Sequence, residues 1–296
     1  MKKIVLLGGL MIDHYMYVDH YPMRGGDCIV EKEADYIGGC PYNVANALRQ
    51  LNFDAMIYSH LFNDSQGQKI KEHLINNNFN TTLCIEDEGK TGTCNIILDY
   101  KRERTFFSSQ GNEGVFNRKD FTDDLIKDIN YVYLSGIYLT YKNHNKEIID
   151  FLKELHALDK IIIFNVSPMV ASLPKDDIIE ILSLCNIIKA NKEEYSVIHS
   201  YVNPNEQIIL VTDGANGSTI YNGQYSRHHE AYCTNTLDSN GAGDNFLAGF
   251  IYAYDLGFNH TSCLDIASAC GSLACEHIGT GVQITLNDIQ LKVSGQ

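Results

Sequence analysis

The chain has 296 residues, 44% of them hydrophobic, with 23 glycines and 5 prolines, which suits one large α/β unit with a substantial core. Its 37 acidic side chains outnumber 23 basic ones for a formal net charge of −14, a field that repels nucleic acid and anionic membrane surfaces. No stretch approaches the roughly 20 apolar residues of a membrane span. Nine scattered cysteines, with no C-x-x-C pair, argue against a disulfide framework and a structural zinc site, so a cytoplasmic setting is expected.

The first residues, Met1-Lys2-Lys3-Ile4-Val5-Leu6-Leu7, begin like a secretion signal. Gly8-Gly9 and then Asp13 and His14 cut the apolar run short, so residues 3–7 read as a buried first strand. Residues 14–36 are rich in Tyr, Val and Ile with polar residues interleaved, the pattern of half-exposed antiparallel strands. In residues 41–51, Val44, Ala47, Leu48 and Leu51 follow helical spacing. A strand at 56–59 and a helix at 65–77 come next, and then a second alternating stretch at 91–108. Strands at 131–134, 161–164, 186–189 and 208–211 then alternate with helices at 145–156 and 176–183. Residues 219–228 read as a hairpin turning at Asn222-Gly223. Such alternation predicts a mainly parallel sheet with helices on both faces. The segments at about 14–36 and 91–108 are expected to project from one edge as a small β-sheet lid.

The most informative segment runs from Asp238 to Phe250. Gly241-Ala242-Gly243 carries almost no side chain, and Phe246, Leu247, Phe250, Ile251 and Tyr254 then form a helical apolar stripe. The glycines therefore sit at a helix N-terminus, where free amides and the helix dipole favour phosphate. Asp244, in the first turn, is placed to take the proton of an attacking hydroxyl.

This segment, Asp238-Ser239-Asn240-Gly241-Ala242-Gly243-Asp244, resembles the D-T-x-G-A-G-D signature of the ribokinase-like, PfkB-type carbohydrate kinase family, with Ser239 where the family favours Thr. Upstream, Gly38-Gly39-Cys40-Pro41-Tyr42-Asn43-Val44-Ala45 is similar to the family's N-terminal signature. The resemblance spans nearly the whole chain and implies one kinase domain over residues 1–296, a three-layer ribokinase-like sandwich with a lid. It implies Asp244 as base and Gly241, Ala242 and Gly243 as anion hole. Substrate contacts fall on Asp13, Gly38, Gly39, Asn43 and Arg104. ATP contacts fall on Asn191, Thr212, Gly214, Gly217, His277 and Gly279. Glu194 would hold Mg²⁺, through water, and Asp238 and Asn240 a monovalent cation such as K⁺. The resemblance also implies a homodimer paired through the lid.

Near the substrate motifs the only cationic side chains are Arg24 and the Lys101–Arg104 cluster, which favours a neutral sugar of the ribose or fructose type. The stretch Phe164-Asn165-Val166-Ser167-Pro168 lacks the D-x-N-x-R of many sugar kinases and leaves a nucleoside or pseudouridine open as acceptor. A dehydrogenase would want G-x-G-x-x-G after the first strand, which Gly8-Gly9-Leu10 does not supply. A silent ligand-binding relative should have lost the base or the anion hole, and both are present.

Overall fold

The computed structural model describes residues 2–101, 103–141 and 144–295, so Arg102 of the basic cluster lies outside the described residues. The chain opens with β1 (Lys3–Leu7), β2 (Met11–Val18), β3 (Val30–Gly38), α1 (Cys40–Gln50), β4 (Asp54–Phe62) and α2 (Ser65–Asn76). It continues with β5 (Cys84–Asp87), β6 (Gly92–Leu98), β7 (Arg104–Ser109), α3 (Asp123–Asp128), β8 (Tyr131–Ser135), α4 (Asn145–Ala157) and β9 (Ile161–Asn165). Then come α5 (Lys175–Leu184), β10 (Ile187–Asn191), α6 (Lys192–Ile198), β11 (Ile208–Thr212), β12 (Ser218–Asn222) and β13 (Tyr225–His229). Three helices close it: α7 (Ala242–Asp255), α8 (His260–Ala274) and α9 (Leu286–Ser294).

Nine strands form the main sheet in the order β13-β12-β11-β10-β9-β8-β1-β4-β5. All neighbours from β11 to β5 run parallel, and only β12 and β13 are antiparallel. A strand buried on both faces reads as a continuous apolar run, and β1 shows why. Ile4 and Leu6 join the core under α1, α2, α7 and α8, while Val5 and Leu7 join the core under α3, α4, α5 and α6. Each such fully buried side chain contributes about 1.5–3 kcal/mol. The result is the three-layer sandwich expected from the alternating pattern. Among the described residues no helix is long and apolar enough to cross a membrane.

A separate sheet, in the order β3-β2-β6-β7, is built from the two polar-interleaved segments. It departs from expectation in one respect: its central pair, β2 and β6, is parallel. Both strands leave the main sheet directly after parallel strands, β1 and β5, and so enter the small sheet in the same direction. β2 also begins at Met11, so Asp13 lies inside the strand. The hairpin differs too: Asn222 pairs with Tyr225, so the turn residues are Gly223 and Gln224, with Gly223 at φ +60°.

Glu113 ties the small sheet to the body. It is fully buried and accepts from the Gly92 amide (2.9 Å), the Gly111 amide (3.1 Å) and the Tyr141 hydroxyl. A buried carboxylate is tolerable only with such donors.

Candidate active site

The carboxyl ends of β1, β8, β9 and β10 deliver Gly8-Gly9, Ser135, Asn165 and Lys189 to one crevice, where open α/β sheets gather their ligands. The N-termini of α1 and α7 face it. Gly241 caps α7 in the left-handed region at φ +74°, a conformation that costs other residues strain. The Ala242 amide reaches Ser239 O (3.3 Å) and the Asp244 amide reaches Gly241 O (3.1 Å). Among the described residues no acceptor meets the Gly241 or Gly243 amides. A helix start with spare N–H groups is an anion site in waiting.

Asp244 is 7% exposed, and its two oxygens are held separately. Asn43 Nδ2 donates to Oδ2 at 2.8 Å and Asn165 Nδ2 donates to Oδ1 at 3.0 Å. Burial pushes this carboxyl above the usual range, opposed by the Asn43 amide, the Lys189 charge and the Asn165 amide. The outcome is a base stronger than a surface aspartate, held in one orientation. Among the described residues, no partner meets the buried Oδ1 atoms of Asn43 and Asn165. Both are acceptors open to an incoming donor.

Lys189, only 7% exposed, stands behind the anion loop: a Cβ on Gly243 would lie 2.6 Å from its Nζ. Only glycine lets the helix start approach this cation so closely. The local field at Gly243 is therefore positive from both the amides and Lys189, whatever the chain's overall charge.

Across the crevice, Asp13 is 6% exposed, and burial pushes its carboxyl up to about 7. Asn240 opposes that rise, while the charges of Asp238 and Asp244 add to it. A Cβ on Gly38 would collide with Asp13 Oδ1, and Gly39, at φ +104°, caps α1 against the Gly9 carbonyl. The paired glycines thus make room for the acid. Asp13, Gly38, Gly39 and Asn43 come together with Asp244, as the motifs imply.

On the other side of α7 a cavity of 660 Å³ is lined by Thr212, Gly214, Gly217, Tyr232, Ser239 and Gly243, among others. It joins the turn after β11 to the anion loop, and its size suits a nucleotide. Gly217, at φ +92°, packs where any side chain would strike the His229 carbonyl. His277 and Gly279 do not line this cavity. His277 is exposed beyond the end of α8, and Gly279 donates its amide to Asp238 Oδ2 at 3.0 Å while packing on the Tyr36 ring. Asn191 caps α6: its side chain accepts from the Glu194 amide, and Glu194 Oε2 accepts from the Asn191 amide at 2.7 Å.

The residues present fit Mg²⁺. Glu194 is 6% exposed, burial raises its carboxyl, and only one of its oxygens serves the cap. No group of three or more His, Cys, Asp or Glu is arranged to hold a metal among the described residues. A single carboxylate with one oxygen left open can meet an ion that arrives with phosphates and water.

The proposed monovalent-cation pair does not fit. Asp238 Oδ1 accepts from Arg104 Nη1 (3.2 Å) and the Asn240 amide (2.9 Å), and Oδ2 from the Tyr15 hydroxyl (2.8 Å) and Gly279. Asn240 Nδ2 donates to Tyr15 Oη at 2.8 Å. Arg104 also reaches Ser239. Its guanidinium is thus spent on the segment before the anion loop rather than turned toward Asp13.

Sequence reasoning assigned no role to Lys189 or Asn165. Both carried a signal: Lys189 is a charge inside the apolar run of β10, and Asn165 a carboxamide at the end of the apolar run of β9.

An arrangement of this kind handles the transfer of an anionic group to a neutral hydroxyl, and the class it defines is that of small-molecule kinases. The family model described as pfkB family carbohydrate kinase matches residues 1–286, and the chain belongs to that family of ATP-dependent phosphotransferases. It is 24% identical to a ribokinase of Staphylococcus aureus over 96% of this chain and 97% of that one. It is 23% identical to a nucleoside kinase of Methanothermobacter thermautotrophicus over 96% of this chain and 92% of the other. Among solved structures, Burkholderia thailandensis nucleoside kinase in complex with inosine superposes with a TM-score of 0.85 at 17% identity, covering 99% and 98% of the two chains.

Proposed function

We propose that the protein transfers the γ-phosphoryl group of ATP to a hydroxyl of a neutral sugar or sugar-like molecule, with Asp244 as general base. The observation that carries this reading is the buried Asp244 carboxylate, oriented by two amides in the first turn of α7, beside a nucleotide-sized cavity. The acceptor sits against Asp13, Gly38, Gly39 and Asn43, and its attacking hydroxyl gives its proton to Asp244. The Gly241, Ala242 and Gly243 segment, backed by Lys189, takes the negative charge that builds as the phosphoryl group moves. Glu194, through water, would help hold Mg²⁺ brought in with ATP, and the ion would supply charge neutralisation on the phosphates. Thr212, Gly214, Gly217 and Asn191 border the nucleotide, whereas His277 and Gly279 act outside it.

A neutral acceptor follows from charge. Asp13, Asn43, Asn165 and Asn240 surround the acceptor side, Arg24 is exposed, and Arg104 is engaged by Asp238. A second reading, a nucleoside as acceptor, is favoured by Phe106. Register places it opposite Ile96, itself opposite Tyr15, on the face that carries Asp13, and it is 48% exposed there. The Arg104 guanidinium lies over this ring at 5.8 Å from its centroid, and the ring surface left exposed on that side suits contact with a base.

The small sheet acts as the lid over the acceptor, and the kinase domain extends over the whole chain. Half-exposed Phe107 on its other face supports pairing of two copies through the lid. Nine free cysteines suit a reducing, cytoplasmic setting.

ADP release with Mg-ATP is the test, across ribose, fructose, ketodeoxygluconate, fructose phosphates, adenosine, cytidine and pseudouridine. Turnover on a neutral sugar or nucleoside that vanishes in Asp244→Asn supports the reading. Turnover confined to the sugar phosphates overturns the neutral acceptor.

A further inference from the structure

We infer that Arg104 is the resident counter-charge of Asp238, standing where a monovalent cation would otherwise be needed, so that the lid itself completes the segment leading into the anion loop. The inference rests on the kinase reading for its meaning, but not for its test.

The Asp238 side chain has no exposed surface. A carboxylate so placed must be neutralised and hydrogen-bonded, or it costs several kcal/mol. Four donors meet it, two on each oxygen, which is close to the full acceptor capacity of the group. Only one of the four carries charge, and that is Arg104. Its guanidinium is 21% exposed, so the ion pair is screened on the outer side only. A bare cation at Asp238 would have to expel one of these donors.

The origin of the donors gives the arrangement its function. Arg104 and Tyr15 belong to the lid sheet, Gly279 to the loop between α8 and α9, and Asn240 to the anion-loop segment itself. Arg104 also reaches Ser239, beside Asp238. Asn240 in turn donates to Tyr15 and reaches toward Asp13 Oδ2 at 3.5 Å. The lid, the acceptor carboxylate and the residues before Gly241 are thereby one connected network. Moving the lid away would leave Asp238 buried with two donors fewer and without its cation. The anion loop is therefore fully set only with the lid in place, which links acceptor enclosure to phosphate binding.

The test needs no acceptor. Thermal unfolding and Mg-ATP affinity by calorimetry are measured for the wild type, Arg104→Gln and Arg104→Lys, in potassium chloride and in choline chloride at equal ionic strength. The wild type is expected to behave alike in both salts, within about 1 °C and about twofold in affinity. Arg104→Gln should melt lower and bind Mg-ATP more weakly in choline chloride, and should regain part of both in potassium chloride. Arg104→Lys, which keeps the charge, should lie nearer the wild type. A wild type that is stabilised or binds Mg-ATP several-fold better in potassium chloride overturns the inference, and this arm stands even where Arg104→Gln does not fold. So does an Arg104→Gln protein that responds identically to the two salts. Failure of every acceptor in the ADP assay would instead bear on the kinase reading, leaving this result untouched.

Discussion

Asn165, at the end of β9, donates to Asp244 Oδ1 at 3.0 Å, so a carboxamide orients a carboxylate 79 positions further along the chain. Asn43 does the same for Oδ2. The Asp244 carboxylate is therefore fixed by a strand end and a helix start that meet only in the folded sheet, and its proposed part in proton transfer can be tested piece by piece.

Asp244→Asn removes the proton acceptor while keeping size and packing. Turnover should fall roughly a hundredfold or more, with Mg-ATP affinity within a few-fold of wild type. ADP release and calorimetry measure the two quantities separately, and near-normal turnover would exclude Asp244 as base.

Asn165→Ala deletes one donor that holds the Asp244 carboxyl down. Loss of a hydrogen bond to the charged form raises the carboxyl further, so the acid limb of kcat/KM should move to higher pH. A loss of about tenfold at neutral pH, shrinking as pH rises, is the expected profile. A uniform loss at every pH would mean that Asn165 serves only packing.

Gly38→Ala places a methyl group against Asp13, whereas Gly243→Ala places one against the flexible end of Lys189. The first should raise the acceptor KM with little change toward ATP. The second should weaken Mg-ATP and lower kcat by about tenfold, with little loss of stability because the lysine can yield. Steady-state kinetics in both substrates distinguishes them.

Asp13 carries a stability signature. Burial pushes its folded carboxyl up to about 7, above the ordinary aspartate value of 3.8. The folded state therefore binds the proton more tightly, and the stability this gives is complete below 3.8 and lost as pH rises toward 7. Asp13→Asn should melt above wild type at pH 8, and the difference should shrink toward pH 4. Scanning fluorimetry across that range gives the answer.

Cys233 is exposed and lines the cavity beside Gly243, whereas burial pushes the Cys40, Cys185 and Cys270 thiols well up. Iodoacetamide should label Cys233 before those three, and Mg-ATP should slow that labelling. Peptide mass spectrometry with and without nucleotide reads both.

Much was legible in the sequence because it is written locally. The apolar runs of β1, β8, β9 and β11, the helical stripe of α1 and the glycine-rich start of α7 each occupy a few adjacent residues, so periodicity and turn chemistry expose them. Gly241 and Asp244 stand three positions apart in one motif, and Gly39 and Asn43 four positions apart in another. The sequence by itself thus determined the sandwich and the glycine-rich helix start, and it pointed to Asp244 as the candidate base. Tertiary structure alone decided the partners: Lys189 behind Gly243, Asn165 on Asp244, Arg104 on Asp238 rather than on the acceptor, and the parallel pairing of β2 with β6. Those relations join distant segments, and a side chain's charge or amide says nothing of what it will meet until the sheet order brings the strand ends together.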